Sequence, residues 1–393
     1  MSRATRRLWR TGALALTAAV ILGACGSSKS TTSAGVSGTG AKCSNIALGF
    51  FGALTGSSAN LGINEKDGAK LAVDQFNQKN AGCQVGFKTY DSTGSPDQAP
   101  QLATQAVQDS ALVGLIGPAF SGESKVADPI FQQAGLPTIT ASATNPTLST
   151  YGWTIFHRAV GNDNAQGPAA AKYITSDLKF TKVAVIDDAS EYGKGIADIV
   201  RTQVKNAKGT VVASESIDPK GTDFSSTVTK IKAGNAQAVF FGGYYQAAGV
   251  LVKQLRDAGV TATFLGPDGT EDPGFVTAAG ASAAEGAILT APAAPIAQVS
   301  GGPAFQTAYK AANNQDVGLY SVEAYDAANA FLKAISLGKT TRSAINDYLN
   351  NGLNYQGLSK VLKFASNGEL SGTVTIYAYT VKSGVIVGLK ALS

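Results

Sequence analysis

Gly117-Pro118-Ala119-Phe120-Ser121-Gly122-Glu123-Ser124 and, twelve residues on, Leu136-Pro137-Thr138-Ile139-Thr140-Ala141-Ser142-Ala143-Thr144-Asn145-Pro146 decide the fold of this chain. Each stretch reads as a strand end followed by a turn rich in hydroxyls. The apolar run Ala111 to Ile116 leads into the first, and Leu136 to Ala141 is the strand of the second. Ser121 and Gly122 stand just before a helical run from Glu123 to Ala134, while Ser142 and Thr144 follow their strand. Two such ends side by side in a parallel sheet would gather helix N–H groups, a partial positive charge and hydroxyl donors into one carboxylate cradle. Ligands in open α/β sheets bind at the carboxyl ends of strands. A small anion or zwitterion is the expected ligand.

The same alternation runs outward in both directions. Ile46 to Leu54 reads as a strand, Ala69, Ala72, Val73 and Phe76 fall on one helical face, and Val85 to Tyr90 is the next strand. Ser95-Pro96 is expected to start a helix, with a hydroxyl cap and Pro at the first helical position. Its stripe is Ala99, Leu102, Ala103, Ala106 and Val107. This βαβαβ order implies a parallel sheet covered on both faces. A second series follows Gly161, with strands at 182–187, 209–217, 236–244 and 263–266 and helices near 194–205, 224–233 and 246–258. Thr373 to Leu389 alternates like a hairpin around Ser383-Gly384. The expected class is α/β with two doubly wound lobes.

The front of the chain predicts export. Arg3, Arg6, Arg7 and Arg10 precede an apolar run from Thr11 to Leu22, too short to span a bilayer, and Leu22-Gly23-Ala24-Cys25 closes it with small residues. That arrangement resembles a bacterial lipobox, with Cys25 acylated and residues 1–24 removed as signal peptide; an ordinary cleaved signal is the alternative. Residues 25–43 read as a Ser/Thr/Gly-rich tether. Multiple acyl chains would fix the protein stably to the outer face of the cytoplasmic membrane. Export by the general or the twin-arginine route stays open. Cys43 and Cys83 each precede a predicted strand, so a disulfide is expected if those strands are adjacent and parallel, with free thiols as the alternative.

The net charge of +5 falls to 28 basic against 27 acidic residues once residues 1–24 are set aside, because they hold four arginines and no acid. Such a balance argues against nucleic acid as a partner. The roughly 350 residues after the tether exceed one core, which favours two domains.

Further motifs complete the pattern: Asp163-Asn164-Ala165-Gln166-Gly167-Pro168, Asp187-Asp188 with Tyr192-Gly193-Lys194-Gly195, Thr222-Asp223-Phe224-Ser225, Gly242-Gly243-Tyr244 and Gly266-Pro267-Asp268-Gly269. With the 117–151 region they resemble the type I periplasmic-binding-protein family, and within it the leucine/isoleucine/valine-binding proteins of ABC importers. The resemblance covers residues 44–393. It implies two lobes joined by three crossovers, near Gly161, Pro292 and Ala365, with residues 44–161 and 292–365 in one lobe and 162–291 and 366–393 in the other. It also implies an amino-acid ligand held in the cleft, an ABC permease as partner, a monomer, no cofactor and no metal.

Residue roles carry over by motif. Ser121 and Thr144 match the hydroxyls that take the ligand's α-carboxylate. Ser142 matches the position whose backbone carbonyl meets the α-ammonium, and Asp268 the carboxylate that pairs with it. Tyr192, Tyr244 and Tyr320 match aromatic walls; Ala119, Phe120 and Leu61 match the side-chain pocket. Three positions depart from the family pattern: Asp268 stands where Glu is usual, Leu61 where Tyr is common, and Ser142 where Ala is common.

Other chemistry is less well supported. His157 is the single histidine, so a histidine-based triad or metal site is not expected. Gly338-Lys339-Thr340 lacks the first glycine of a phosphate loop, because Lys333 occupies that position. Asp187-Asp188 reads as a turn cap rather than a metal site. The competing functions are a receptor of the same fold for a short amide, urea or aromatic acid, a serine hydrolase using Ser121, and a structural envelope protein.

Overall fold

The structure, a computed structural model, describes residues 43–392. The leader, Cys25 and all of the tether but Cys43 lie outside the described residues. The first lobe starts with β1 (Cys43–Gly52), α1 (Ala59–Lys79), β2 (Cys83–Asp91), α2 (Ala99–Gln108), β3 (Leu112–Ile116), α3 (Ser121–Ala134), β4 (Thr138–Thr140) and β5 (Phe156–Arg158). Its five strands pair in parallel in the order β2-β1-β3-β4-β5. Leu48, Phe50 and Phe51 of β1 are all fully buried. Side chains on both faces are therefore covered, as the continuous apolar run requires.

The second lobe comprises α4 (Asp163–Lys172), β6 (Lys182–Asp187), α5 (Glu191–Asn206), β7 (Thr210–Ser216), α6 (Ser225–Ala233), β8 (Ala238–Gly242), α7 (Tyr245–Asp257), β9 (Thr263–Gly266), α8 (Pro273–Ala279), α9 (Ala281–Ala284) and β10 (Ile288–Ala291). The chain then returns to the first lobe for α10 (Gly302–Asn313), α11 (Ser321–Ser336), α12 (Arg342–Asn351) and the short strands β11 (Tyr355–Gln356) and β12 (Val361–Leu362). It ends in the second lobe with β13 (Ile376–Lys382) and β14 (Val385–Leu392). The second sheet runs β14-β13-β10-β9-β8-β6-β7, with β6 to β10 parallel and the terminal hairpin antiparallel. The two doubly wound lobes and the hairpin match the sequence reading.

Several boundaries differ from the sequence reading, each for a local reason. Ser95-Pro96 does not start α2. Ser95 Oγ accepts from Asp97 N at 3.3 Å and Ser95 O from Gln98 N at 3.3 Å, closing a turn, and the helix begins at Ala99. Ser121, expected just before α3, occupies its first helical position with Phe120 at the N-cap. β4 is shorter than Leu136–Ala141, since Pro137 has no N–H to offer a ladder. The third passage between lobes lies beyond Ala365: Arg158 N donates to Gly368 O at 2.9 Å and Phe364 bridges Leu370, so residues up to Leu370 still belong to the first lobe.

β1 and β2 are adjacent and parallel with Cys43 opposite Cys83, and the two form a disulfide across Cα atoms 4.5 Å apart. The bridge closes a loop spanning 40 positions. Replacing both cysteines with alanine is expected to lower stability by about 2–4 kcal/mol, mainly by releasing the unfolded chain. Urea unfolding of the variant beside the native protein tests this; coincident midpoints would show that the bridge contributes nothing.

Candidate functional site

Strand order locates the site. In the first sheet the order reverses between β1 and β3, and in the second between β6 and β8. Crevices open outside the carboxyl ends of strands at such switch points. Ser121 follows β3, Ser142 follows β4, Tyr192 follows β6, Tyr244 follows β8 and Asp268 follows β9. The two crevices face one another and enclose a narrow cavity.

The first-lobe wall is built by close backbone approach. Gly117 has φ 114°, and a Cβ there would collide with the Phe51 carbonyl. Ala119 N then donates to Phe51 O at 3.0 Å, fixing the turn to β1. Ser142 Oγ donates to Ala119 O at 2.6 Å, which ties the β4 turn to the β3 turn. Ser121 sits at the start of the 14-residue helix α3, whose first N–H groups have no intrahelical acceptor. Its hydroxyl accepts from Asn145 N at 3.2 Å. Thr144 is fully buried but does not line the cavity.

Arg158 holds this turn from beneath. Its guanidinium is fully buried, donates to Ala143 O and, at 3.0 Å, to Asn145 O, and pairs with Glu369 at 2.9 Å. The carbonyls on either side of Thr144 are thus fixed by one side chain.

The second-lobe wall carries the opposite polarity. Asp268 is 3 % exposed and accepts from Tyr192 OH at 2.6 Å and Tyr320 OH at 2.8 Å. Gly269 N donates back to Tyr192 OH at 3.1 Å. Burial raises the Asp268 carboxyl above its ordinary range, and the two tyrosine bonds lower it in part. Asp163, fully buried nearby, is pushed up to about 8 by burial and then by Asp268. A neighbouring carboxylate disfavours ionisation of a second one, so a cation beside them would be favoured. Tyr244 stacks obliquely on Tyr192 and edge-on to Phe120, with centroids 5.3 Å apart in both pairs. Tyr320 is the N-cap of α11 with φ 65°, a left-handed conformation that costs a bulky residue about 1–3 kcal/mol.

Nine of the ten residues singled out from the sequence line this one cavity; Thr144, behind Ser121, is the tenth. Gly269 and Glu65 were not anticipated. Glu65 stands one turn after Leu61 on α1, and a Cβ on the intervening Gly62 would collide with the Ala53 carbonyl. That contact seats the helix against the end of β1. Burial pushes Glu65 well above the ordinary carboxyl range. A sequence signal existed, since Leu61 and Glu65 are four apart and share a face, but a charged residue on a helix reads as solvated.

Contacts across the cleft already join the lobes. Asn145 Nδ2 donates to Glu191 O at 2.8 Å, Asn60 Nδ2 to Asp272 at 2.9 Å, and Tyr320 OH to Asp268. Larger hollows of about 330 Å³ each lie elsewhere, one among the connecting segments near Gly161 and Pro292 and one between α11 and the hairpin. The smaller cavity is the better candidate because helix N–H groups, hydroxyls and a buried carboxylate converge on it. His157 bonds Thr138 O and Asn350, so it does not serve Ser121 as a base. Asp187 and Asp188 accept from Ala189 N and Ser190 N, closing their turn.

The profile described as "Periplasmic binding protein" matches residues 45–384. The chain is 33% identical over 292 residues, covering 74% of itself and 78% of the relative, to the leucine-, isoleucine-, valine-, threonine-, and alanine-binding protein of Pseudomonas aeruginosa. It is 31% identical over 355 residues, 88% of itself and 94% of the relative, to Leu/Ile/Val-binding protein homolog 3 of Brucella melitensis. Among solved structures it is similar to the branched-chain amino acid transporter substrate-binding protein LivJ of Streptococcus pneumoniae in complex with isoleucine. The TM-score is 0.80 at 29% identity, over 88% of this chain and 99% of that one.

Proposed function

The chain belongs to the periplasmic binding protein family, and from that premise we propose that it captures an amino acid, branched-chain first, in the interlobe cleft and delivers it to an ABC permease. The observation that carries this reading is the polarity of the cleft. The N-terminus of α3 with Ser121 faces a buried Asp268 across the cleft cavity. A zwitterion needs donors at one end and a carboxylate at the other, because an unpaired buried charge is costly. The aromatic and aliphatic walls between them read the side chain by shape. No covalent step is part of this role. In this reading the protein works as a monomer outside the cytoplasmic membrane, tethered through an acylated Cys25, and the lobes close on the ligand by hinge motion.

Calorimetric titration of the purified protein, stripped of ligand by unfolding and refolding, tests the reading against a panel of L-amino acids and their amides. Tight binding of leucine, isoleucine or valine supports it. A second reading, a receptor for a short amide, urea or aromatic acid, is favoured by one feature: both Asp268 oxygens already accept a tyrosine hydroxyl. Silence across the amino acids with binding of such a ligand would select it.

The variant Ser121→Ala is expected to weaken amino-acid binding by roughly tenfold or more, at about 1.5–3 kcal/mol for one charge-assisted bond. Circular dichroism should show the native fold. Unchanged affinity would place the carboxylate elsewhere.

A further inference from the structure

Glu65 is 1 % exposed and lines the cleft cavity, yet neither of its carboxyl oxygens has a hydrogen-bond partner. Asp326 and Asp268 are served, the first by Leu358 N, Ser359 N and Ser359 Oγ and the second by two tyrosines. Asp128 and Asp163 also lack partners for both oxygens, but they do not line the cavity as Glu65 does. A buried polar group left unpaired is costly, and a cavity that keeps one is suited to a ligand that pairs with it. The surroundings of Glu65 narrow what that ligand carries. Leu61, Ala119 and Phe120 offer it only apolar wall. Ser142, the polar side chain that offsets part of the burial effect on Glu65, has given its proton to Ala119 O at 2.6 Å, so its oxygen remains as an acceptor. A ligand group between them meets a carboxyl and a hydroxyl oxygen beside the apolar wall of Leu61, Ala119 and Phe120.

We propose that Glu65 is a specificity-determining residue of the cleft, selecting a branched amino acid whose side chain bears a hydroxyl over its purely aliphatic isostere. The pair that isolates this is threonine and valine, which share shape and differ by one hydroxyl for one methyl. Threonine donates its hydroxyl proton to the Glu65 carboxyl, whereas valine leaves both oxygens unpaired. Sites built to bond a hydroxyl reject the analogue lacking it far more strongly than an apolar slot rejects an added hydroxyl. Burial favours the protonated form of the Glu65 carboxyl, and in that form it can also return a proton to the ligand oxygen. The inference rests on the amino-acid reading given above and deepens it.

The test is calorimetric titration of the native protein, Glu65→Leu and Glu65→Gln with L-threonine and L-valine. The native protein should bind threonine at least as tightly as valine. Glu65→Leu should shift the threonine-to-valine affinity ratio at least tenfold toward valine, with Glu65→Gln shifting it less because the amide still donates and accepts. Native protein that binds valine tenfold more tightly than threonine overturns the assignment without any variant. So does a Glu65→Leu protein in which both affinities move together. Native protein that binds neither these nor any other amino acid of the panel would overturn the amino-acid reading itself, and this inference with it.

Discussion

Alanine in place of Asp268 is expected to weaken amino-acid binding by roughly thirtyfold or more, from a loss of about 2–5 kcal/mol. The carboxylate is buried at the end of the cleft opposite α3, and its removal leaves a ligand ammonium without a counter-charge. It also leaves the Tyr192 and Tyr320 hydroxyls without their acceptor, so the aromatic walls lose their anchor together. Asp268→Asn separates these effects, because the amide oxygen still accepts from a tyrosine while the charge is gone. Titration with leucine and with the matching acid that lacks the amino group supplies the decisive comparison. If Asp268 meets the ammonium, both variants lose leucine far more than they lose the acid. Equal losses for the two ligands would reduce Asp268 to a tether for two rings.

The second large effect concerns stability. Arg158→Met should destabilise the protein by about 3–5 kcal/mol, as breaking a buried ion pair from one side does. Methionine fills much of the volume but supplies no donor. Glu369 loses its partner, the carbonyls of Ala143 and Asn145 lose theirs, and the buried acids Asp128 and Asp163 lose the cation that favours their charged forms. Urea unfolding with an unchanged slope and a lower midpoint is the expected result. Adding Glu369→Gln should recover part of the loss, since the two groups interact directly and their effects do not add. A loss below about 1 kcal/mol would mean that water or rearrangement replaces the guanidinium, and that the Thr144 turn stands without it.

Much of the fold was readable because the strands are uninterrupted apolar runs and the helices carry one-sided stripes. β6 at Lys182–Asp187 and β9 at Thr263–Gly266 begin and end where that pattern does. What the pattern missed is local competition. Ser95-Pro96 has the composition of a helix start, but the same hydroxyl closes a turn two residues on and delays the helix to Ala99. In the site, Ser121 and Ser142 were legible from the strand ends they follow, because the parallel sheet brings every strand end to the same side, whereas Tyr192, Tyr244, Tyr320 and Asp268 were implied only by the family resemblance. Glu65 was not, because its burial depends on how α1 leans on β1, and that lean is set by Gly62 against Ala53 rather than by any polar motif. The position of Thr144 behind Ser121 was equally hidden: it follows from Arg158, which is 14 positions away in sequence and was not read as part of the site.

The bonds from Asn145 to Glu191 and from Asn60 to Asp272 join the two lobes using protein atoms alone. In a hinged receptor such clasps belong to the shut form whatever the cleft contains. They set the fraction of molecules poised shut before any cargo arrives, and apparent affinity is the intrinsic affinity scaled by that fraction. On the proposed function, detection threshold and choice of cargo would be written in separate residues. The rim clasps would tune how dilute a supply the receptor registers, for every cargo by the same factor, while the walls around Asp268 and Glu65 would decide which cargo it is.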